Sequence, residues 1–111
     1  MRKAFVMQVY EQYYDEYETR HNELWPEMEK AIFEHGAIHY SIYLLKETGQ
    51  LFGFLQLEDE NRWDELANTL ICKKWWAYMS QIMETNEDSS PKSTDLQCVF
   101  TLTKEVSTNV N

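Results

Sequence analysis

The sequence predicts an α+β fold in which the elements follow the order βαββαβ. Four short stretches have the apolar patterns that are typical of strands. Two longer stretches repeat apolar residues every three or four positions, as amphipathic helices do. Two β-α-β halves in this order form a four-stranded antiparallel sheet with the helices on one face, which is the ferredoxin-like fold.

The strands are predicted at residues 3–9, 38–45, 51–58 and 96–103. The third strand is apolar on both of its sides, including the side that carries Phe52 and Phe54. Helices cover only one face of such a sheet, and a monomer rarely exposes an apolar patch beyond about 300–600 Å². We therefore expect a second copy of the chain to cover the other face, which predicts a homodimer.

The two helical regions are predicted from apolar spacing and from capping residues. The first spans residues 12–35, and Pro26 with Trp25 before it predicts a kink or a break near Leu24 and Trp25. Asp59 can cap the second region. Its apolar residues with helical spacing are Trp63, Leu66, Leu70, Ile71, Trp75, Tyr78, Met79 and Ile82.

Length and charge limit the class of protein. No low-complexity or Gly/Ser linker divides the 111 residues, so we expect one domain over residues 1–103 and a polar tail over 104–111. Ten Lys and Arg against 19 Asp and Glu give a net charge of −9. An acidic surface repels phosphate backbones and anionic lipid headgroups, so nucleic acid is not an expected partner.

Targeting segments and cysteine patterns further limit the location of the protein and the chemistry of its cysteines. The apolar start of the chain is too short for a signal peptide, and nowhere do about 18 apolar residues run together. We expect a cytoplasmic protein without a membrane partner. Cys72 and Cys98 form no CxxC or CxxH pattern, so neither a disulfide framework nor a metal site is expected. We expect both cysteines to be buried, one in a helix and one in a strand.

Tyr17 and His21 are the first candidates for a functional site. They lie four residues apart, so on a helix they share one face and can contact one small ligand. Imidazole has an ordinary pKa of about 6.5 and exchanges protons near neutral pH. The alternative is a surface or capping role for His21, because it lies close to the predicted helix end.

Trp75, Trp76 and Tyr40 are candidates for ligand binding. Adjacent helical residues point about 100° apart, so one Trp can pack inward while the other lines a cavity or its rim. Packing in the core and against a partner chain is the alternative. Tyr40 places a hydroxyl on an apolar strand face, where a ligand hydroxyl could be its hydrogen-bond partner. Flat aromatic side chains can hold a sugar, and a titratable ring beside them can move its protons.

Stretches along nearly the whole chain carry a family resemblance: Arg2–Val9, Tyr17, Arg20–Asn22, Trp25–Glu27, His35–Ala37, Tyr40–Leu44, Arg62-Trp63, Cys72–Trp76, Tyr78-Met79, Ser90-Pro91 and Leu96–Phe100. In this combination the sequence resembles the L-rhamnose mutarotase family. The resemblance implies a ferredoxin-like fold of the dimeric α+β barrel type and interconversion of the α and β anomers of L-rhamnose without a cofactor. It implies that His21 is the proton donor, and that Tyr17, Tyr40, Trp75 and Trp76 contact the sugar.

Anomer exchange requires that the ring C–O bond break, the carbonyl rotate about C1–C2 and the ring close on the other carbonyl face. We hypothesise that protonated His21 donates to the ring oxygen. Tyr17, Tyr40 or an ordered water then handles the anomeric hydroxyl, and the sequence leaves open which of them is the base.

Two other function classes fit part of the pattern. Small cofactor-independent monooxygenases share the dimeric α+β barrel, and their aromatic substrates suit a cavity rich in Trp and Tyr. A non-catalytic sugar-binding module would use the same binding residues but would not need a titratable His21. Oxygen uptake would identify the first class, and binding without anomer exchange would identify the second.

Overall fold

The computed structural model describes residues 1–104, so the predicted tail lies outside the described residues except for Lys104. The strands are β1 Arg2–Gln8, β2 Ala37–Leu45, β3 Gln50–Leu57 and β4 Thr94–Asp95. The helices are α1 Tyr14–Asn22, α2 Pro26–Glu34, α3 Glu60–Glu65 and α4 Leu70–Met79. The strands form one antiparallel sheet in the order β2-β3-β1-β4, which confirms the predicted ferredoxin-like fold. None of the described helices has the length and apolar content needed to cross a membrane.

The core lies between the helices and one face of the sheet. The sheet side supplies Met7, Val9 and Leu51, and the helices supply Tyr17, Met28, Cys72, Trp75 and Met79. Phe5, Gly53 and Ile42 lie in register across β1, β3 and β2. A Cβ atom at Gly53 would overlap the ring of Phe5, so glycine is what allows that ring to lie across the sheet.

The first helical region breaks where the sequence predicts it. α1 ends at Asn22, and Trp25 is extended, with φ −59° and ψ 131°. Pro26 then begins α2, where its missing N–H costs no helical hydrogen bond. His21 therefore lies in the last turn of α1, beside the entrance to α2.

The second predicted helical region contains two helices. α3 ends at Glu65 and α4 begins at Leu70. Between them Thr69 is extended, and its hydroxyl accepts a hydrogen bond from the Cys72 N–H at 3.3 Å and donates one to the Leu66 carbonyl at 2.7 Å. The predicted cap at the start of the region is confirmed, since Asp59 accepts from the Asn61 N–H at 2.8 Å.

The predicted strand over residues 96–103 is wrong. β4 contains only Thr94–Asp95, and the Leu96 N–H makes one more bond to the Ala4 carbonyl at 2.9 Å. Since β1 begins at Arg2, little strand remains for the following residues to pair with, and they leave the sheet. Cys98 is consequently exposed, which contradicts the expected burial, whereas Cys72 is buried as predicted.

The outer face of the sheet carries exposed aromatic residues. Tyr43 is 62% exposed and Phe54 is 43% exposed, with their ring centroids 5.6 Å apart. The segment 96–104 adds Val99, Phe100 and Leu102, each more than three-quarters exposed. These apolar surfaces have no cover within the described part of one chain.

Candidate active site

A cavity of about 1130 Å³ lies between the sheet and the helices. All five residues that the sequence singles out line it: Tyr17, His21, Tyr40, Trp75 and Trp76. They come from α1, β2 and α4, so the fold brings together side chains that are far apart in the chain. Trp75 is buried and Trp76 is half-buried, and both contribute to the cavity wall.

His21 is held by two aromatic rings and one hydrogen bond. Its ring stacks on that of Tyr17, with centroids 4.4 Å apart and planes at 30°, and meets Trp75 edge-on at 5.5 Å. Its Nδ1 lies 3.0 Å from the backbone carbonyl oxygen of Tyr17. Burial lowers the pKa of His21, and the hydrogen bond to that carbonyl offsets only part of the effect. The neutral ring is therefore favoured near neutral pH.

The hydroxyls of Tyr17 and Tyr40 are available to a ligand. Within residues 1–104 neither makes a hydrogen bond to protein, whereas the Tyr14 hydroxyl donates to the Lys46 carbonyl at 3.0 Å. Burial raises the pKa of Tyr17, and repulsion from ionised Tyr40 raises it further. Tyr40 is 37% exposed, but it lines the cavity and its ring packs among protein groups, so burial also raises its pKa. Both phenols stay protonated.

The aromatic surroundings of Tyr40 and Trp75 include residues that the sequence did not assign to the site. Phe5 and Trp63 pack edge-on against Tyr40, with centroids 6.1 and 6.2 Å away. Trp25 packs edge-on against Trp75 at 5.1 Å. Trp25 and Trp63 belong to stretches of the family resemblance, which was the available signal. The positions of these aromatic residues depend on contacts between elements that are distant in the sequence.

Cys72 is a further unpredicted member of the cavity wall. Cys72 and Tyr40 line the same cavity, and repulsion between the ionised forms of the two groups adds to the rise in the pKa of Tyr40. Burial raises the pKa of Cys72 to about 11, so the group remains a neutral thiol near pH 7. In the part of the chain that the structure describes, no three or more His, Cys, Asp or Glu side chains are grouped to hold a metal ion.

Arg20 joins α1 to the end of α4. Its guanidinium donates to the Tyr78 carbonyl at 2.6 Å and to the Gln81 side chain at 3.1 Å, and it lies 3.9 Å from the centroid of the Tyr78 ring. Tyr78 in turn packs against Trp75 with centroids 5.8 Å apart. These contacts set the distance between the two helices that carry His21 and Trp75.

Known proteins with similar sequences and structures place the chain in a family. The sequence model of the L-rhamnose mutarotase family matches residues 2–102. An L-rhamnose mutarotase of Shouchella clausii (strain KSM-K16) is 58% identical over 102 residues, which cover 92% of this chain and 98% of the relative. The crystal structure of an L-rhamnose mutarotase from Formosa agariphila is 38% identical, with a TM-score of 0.87 over 93% of this chain and 99% of that one. An antibiotic biosynthesis monooxygenase, 14% identical with a TM-score of 0.60 over 89% of this chain and 99% of that one, shares the fold alone. The chain therefore belongs to the L-rhamnose mutarotase family.

Proposed function

We propose that this protein is an isomerase that interconverts the α and β anomers of L-rhamnopyranose in the cytoplasm. The observation that carries the proposal is that His21 shares one cavity with Tyr17, Tyr40 and Trp75 in a chain that the family model matches over residues 2–102. The proposal needs no cofactor, because ring opening and closure only move protons and rotate bonds within the sugar.

The composition of the cavity wall suits a neutral deoxy sugar. Trp75 and Trp76 offer flat apolar surface to the C–H groups and the 6-methyl group, while the Tyr17 and Tyr40 hydroxyls can hydrogen-bond sugar hydroxyls. A few polar groups on a mostly apolar wall fix the orientation of a ligand. The sugar carries no charge, so the net charge of −9 does not oppose its approach.

Anomer exchange requires a protein group that exchanges a proton with the sugar. As the C1–O5 bond breaks, the anomeric hydroxyl loses a proton and the ring oxygen gains one. His21 can serve because an imidazole changes its protonation state near neutral pH and this one lies in the cavity wall. General acid–base catalysis of this kind contributes roughly 10²–10⁴-fold in rate.

The proposal is tested by NMR saturation transfer between the α and β anomeric protons of L-rhamnose. We expect exchange to rise with protein concentration and to fall roughly 10²–10⁴-fold in His21→Ala. His35→Ala is the matched control, because His35 makes the same contact from its Nδ1 to the carbonyl four residues earlier, at 2.7 Å, but lies outside the cavity. Sugar binding without exchange would favour a non-catalytic binding module, and oxygen uptake with a phenolic substrate would favour a monooxygenase.

We propose further that a second copy of the chain covers the outer face of the sheet. Two apolar surfaces support this: the exposed pair Tyr43 and Phe54, and the exposed apolar residues of segment 96–104. A two-fold axis presents both surfaces of one protomer to the same surfaces of its partner, so one isologous interface can cover all of them. The homodimer stays a prediction.

A further inference from the structure

We propose that His21 enters the reaction as a neutral imidazole, and that its Nε2 atom both removes the proton of the anomeric hydroxyl and returns it to the ring oxygen. This assignment rests on the proposed function and deepens it. It differs from the sequence-based hypothesis, in which a protonated His21 begins the reaction by donating to the ring oxygen.

The first argument is the hydrogen bond at the other ring nitrogen. Nδ1 of His21 lies 3.0 Å from the Tyr17 carbonyl oxygen, and a carbonyl oxygen can only accept. Nδ1 therefore carries a proton in the neutral ring as well as in the charged one. The proton that the ring gains or loses is the one at Nε2, so the neutral ring presents a lone pair there.

The second argument is the set of charged and titratable groups around the ring. The groups that line the same cavity are Lys3 on β1, Tyr14, Asp15, Tyr17 and Glu18 on α1, Glu29 on α2, His39 and Tyr40 on β2, Lys46 just after β2, Asp64 on α3, Cys72 on α4 and Asp95 on β4. Tyr17, Tyr40 and Cys72 are uncharged near neutral pH, because burial raises the pKa of each. Within residues 1–104 no carboxylate forms an ion pair with the imidazole, so an imidazolium has no counter-charge to offset its burial.

The charged neighbour in the sequence, Arg20, does not alter this balance. It is directed to the end of α4, where it binds the Tyr78 carbonyl, and it forms an ion pair with Glu16 at 2.9 Å. The ring of His21 is thus enclosed by the Tyr17 and Trp75 rings rather than by charge.

The proposed step balances without a second acid or base. The Nε2 lone pair takes the O1 proton, the O1–H electron pair forms the C1=O1 π bond, and the C1–O5 electron pair moves to O5. The imidazolium then donates the same proton to O5, which leaves an open-chain aldehyde and a neutral imidazole. O1 and O5 are both bonded to C1, so one nitrogen can reach both. After rotation about C1–C2, the reverse sequence closes the ring on the other carbonyl face.

The phenols have a supporting role in this scheme. Their raised pKa values keep Tyr17 and Tyr40 protonated, so they are neutral hydrogen-bond donors rather than bases. Donors placed near O5 stabilise the negative charge that develops there as the ring opens. The phenols need not ionise at any stage.

The pH dependence of kcat/KM for anomer exchange tests the assignment. A base that must be neutral gives a rate that rises with pH through the pKa of His21, which lies below its ordinary value of 6.5, and then stays level to about pH 9. A rate that falls as pH rises through the same pKa would overturn the assignment, because it would require a protonated His21 at entry. If the protein accelerates anomer exchange at no pH, the proposed function on which the assignment rests is itself wrong.

A second measurement detects the protonation of the two ring nitrogens of His21 directly and does not depend on turnover. In ¹⁵N NMR spectra of the full chain at pH 7.5, we expect His21 to show a protonated Nδ1 and an unprotonated Nε2. A His21→Gln spectrum identifies its signals, and His35 is an internal reference with the same backbone contact. An imidazolium, or a proton on Nε2 alone, would contradict the assignment.

Discussion

Tyr17 contributes three separate groups to the site. Its backbone carbonyl binds the Nδ1 of His21, its ring stacks on the imidazole, and its hydroxyl has no protein partner within residues 1–104. Removal of the hydroxyl alone therefore separates ligand contact from structural support, because the ring and the carbonyl remain in place.

We expect Tyr17→Phe to lower kcat/KM roughly tenfold while the free energy of unfolding changes by less than about 0.5 kcal/mol. Tyr14→Phe is the matched control, because Tyr14 also lines the cavity but its hydroxyl is bound to protein instead of being free for a ligand. It loses a hydrogen bond to the Lys46 carbonyl, so it should lose roughly 0.5–1.5 kcal/mol of stability and keep its activity. Anomer exchange and urea unfolding of both variants check the pair. The opposite pattern, a destabilised but active Tyr17→Phe, would show that its hydroxyl is structural.

The pairing of Tyr17 with His21 could be predicted because it is local. Both lie on one helix, and a spacing of four places their side chains together whatever the rest of the fold does. The contact of Trp63 with Tyr40 could not be predicted in this way, because it joins α3 to β2 across the core. The raised phenol pKa values depend on the same tertiary burial.

Among the elements, α4 shows why helical spacing did not reveal a boundary. Leu66 and Leu70 are four residues apart in the sequence, which is a helical interval, yet Leu66 is buried and Leu70 is 68% exposed. The boundary is set by the backbone at Thr69, whose hydroxyl caps α4 and binds the preceding turn. A threonine within an apolar repeat is ambiguous, because it is compatible with a helix interior as well as with a cap.

We expect Thr69→Ala to lower the free energy of unfolding by about 1 kcal/mol, because the first turn of α4 loses its cap. Thr69→Ser keeps a hydroxyl in the same position and should retain most of the stability. Urea unfolding monitored by circular dichroism measures both variants. Equal losses in the two would mean that the methyl group of the threonine, and not the cap, provides the stabilisation.

For the fold as a whole, the layers were predicted correctly from the sequence but the last strand was misplaced. Alternation at residues 96–103 is a real strand pattern, yet a strand also needs a partner with free hydrogen-bonding groups. Within the described chain β1 provides such groups only as far as Leu96. The exposed Phe100 and the exposed outer-face residues Tyr43 and Phe54 would all be covered in the proposed homodimer.

We expect the full chain to sediment as a dimer, and Tyr43→Glu/Phe54→Glu to sediment as a monomer. Two buried, unpaired carboxylates oppose association, because burying a charge without a partner is costly, whereas on the free sheet surface they remain in water. Leu70→Glu is the matched control: Leu70 is 68% exposed on the helical side, so the same change there should leave the dimer intact. Sedimentation velocity at several concentrations measures the mass, and circular dichroism verifies that each variant is folded. If the double variant remains dimeric, the interface lies elsewhere on the chain.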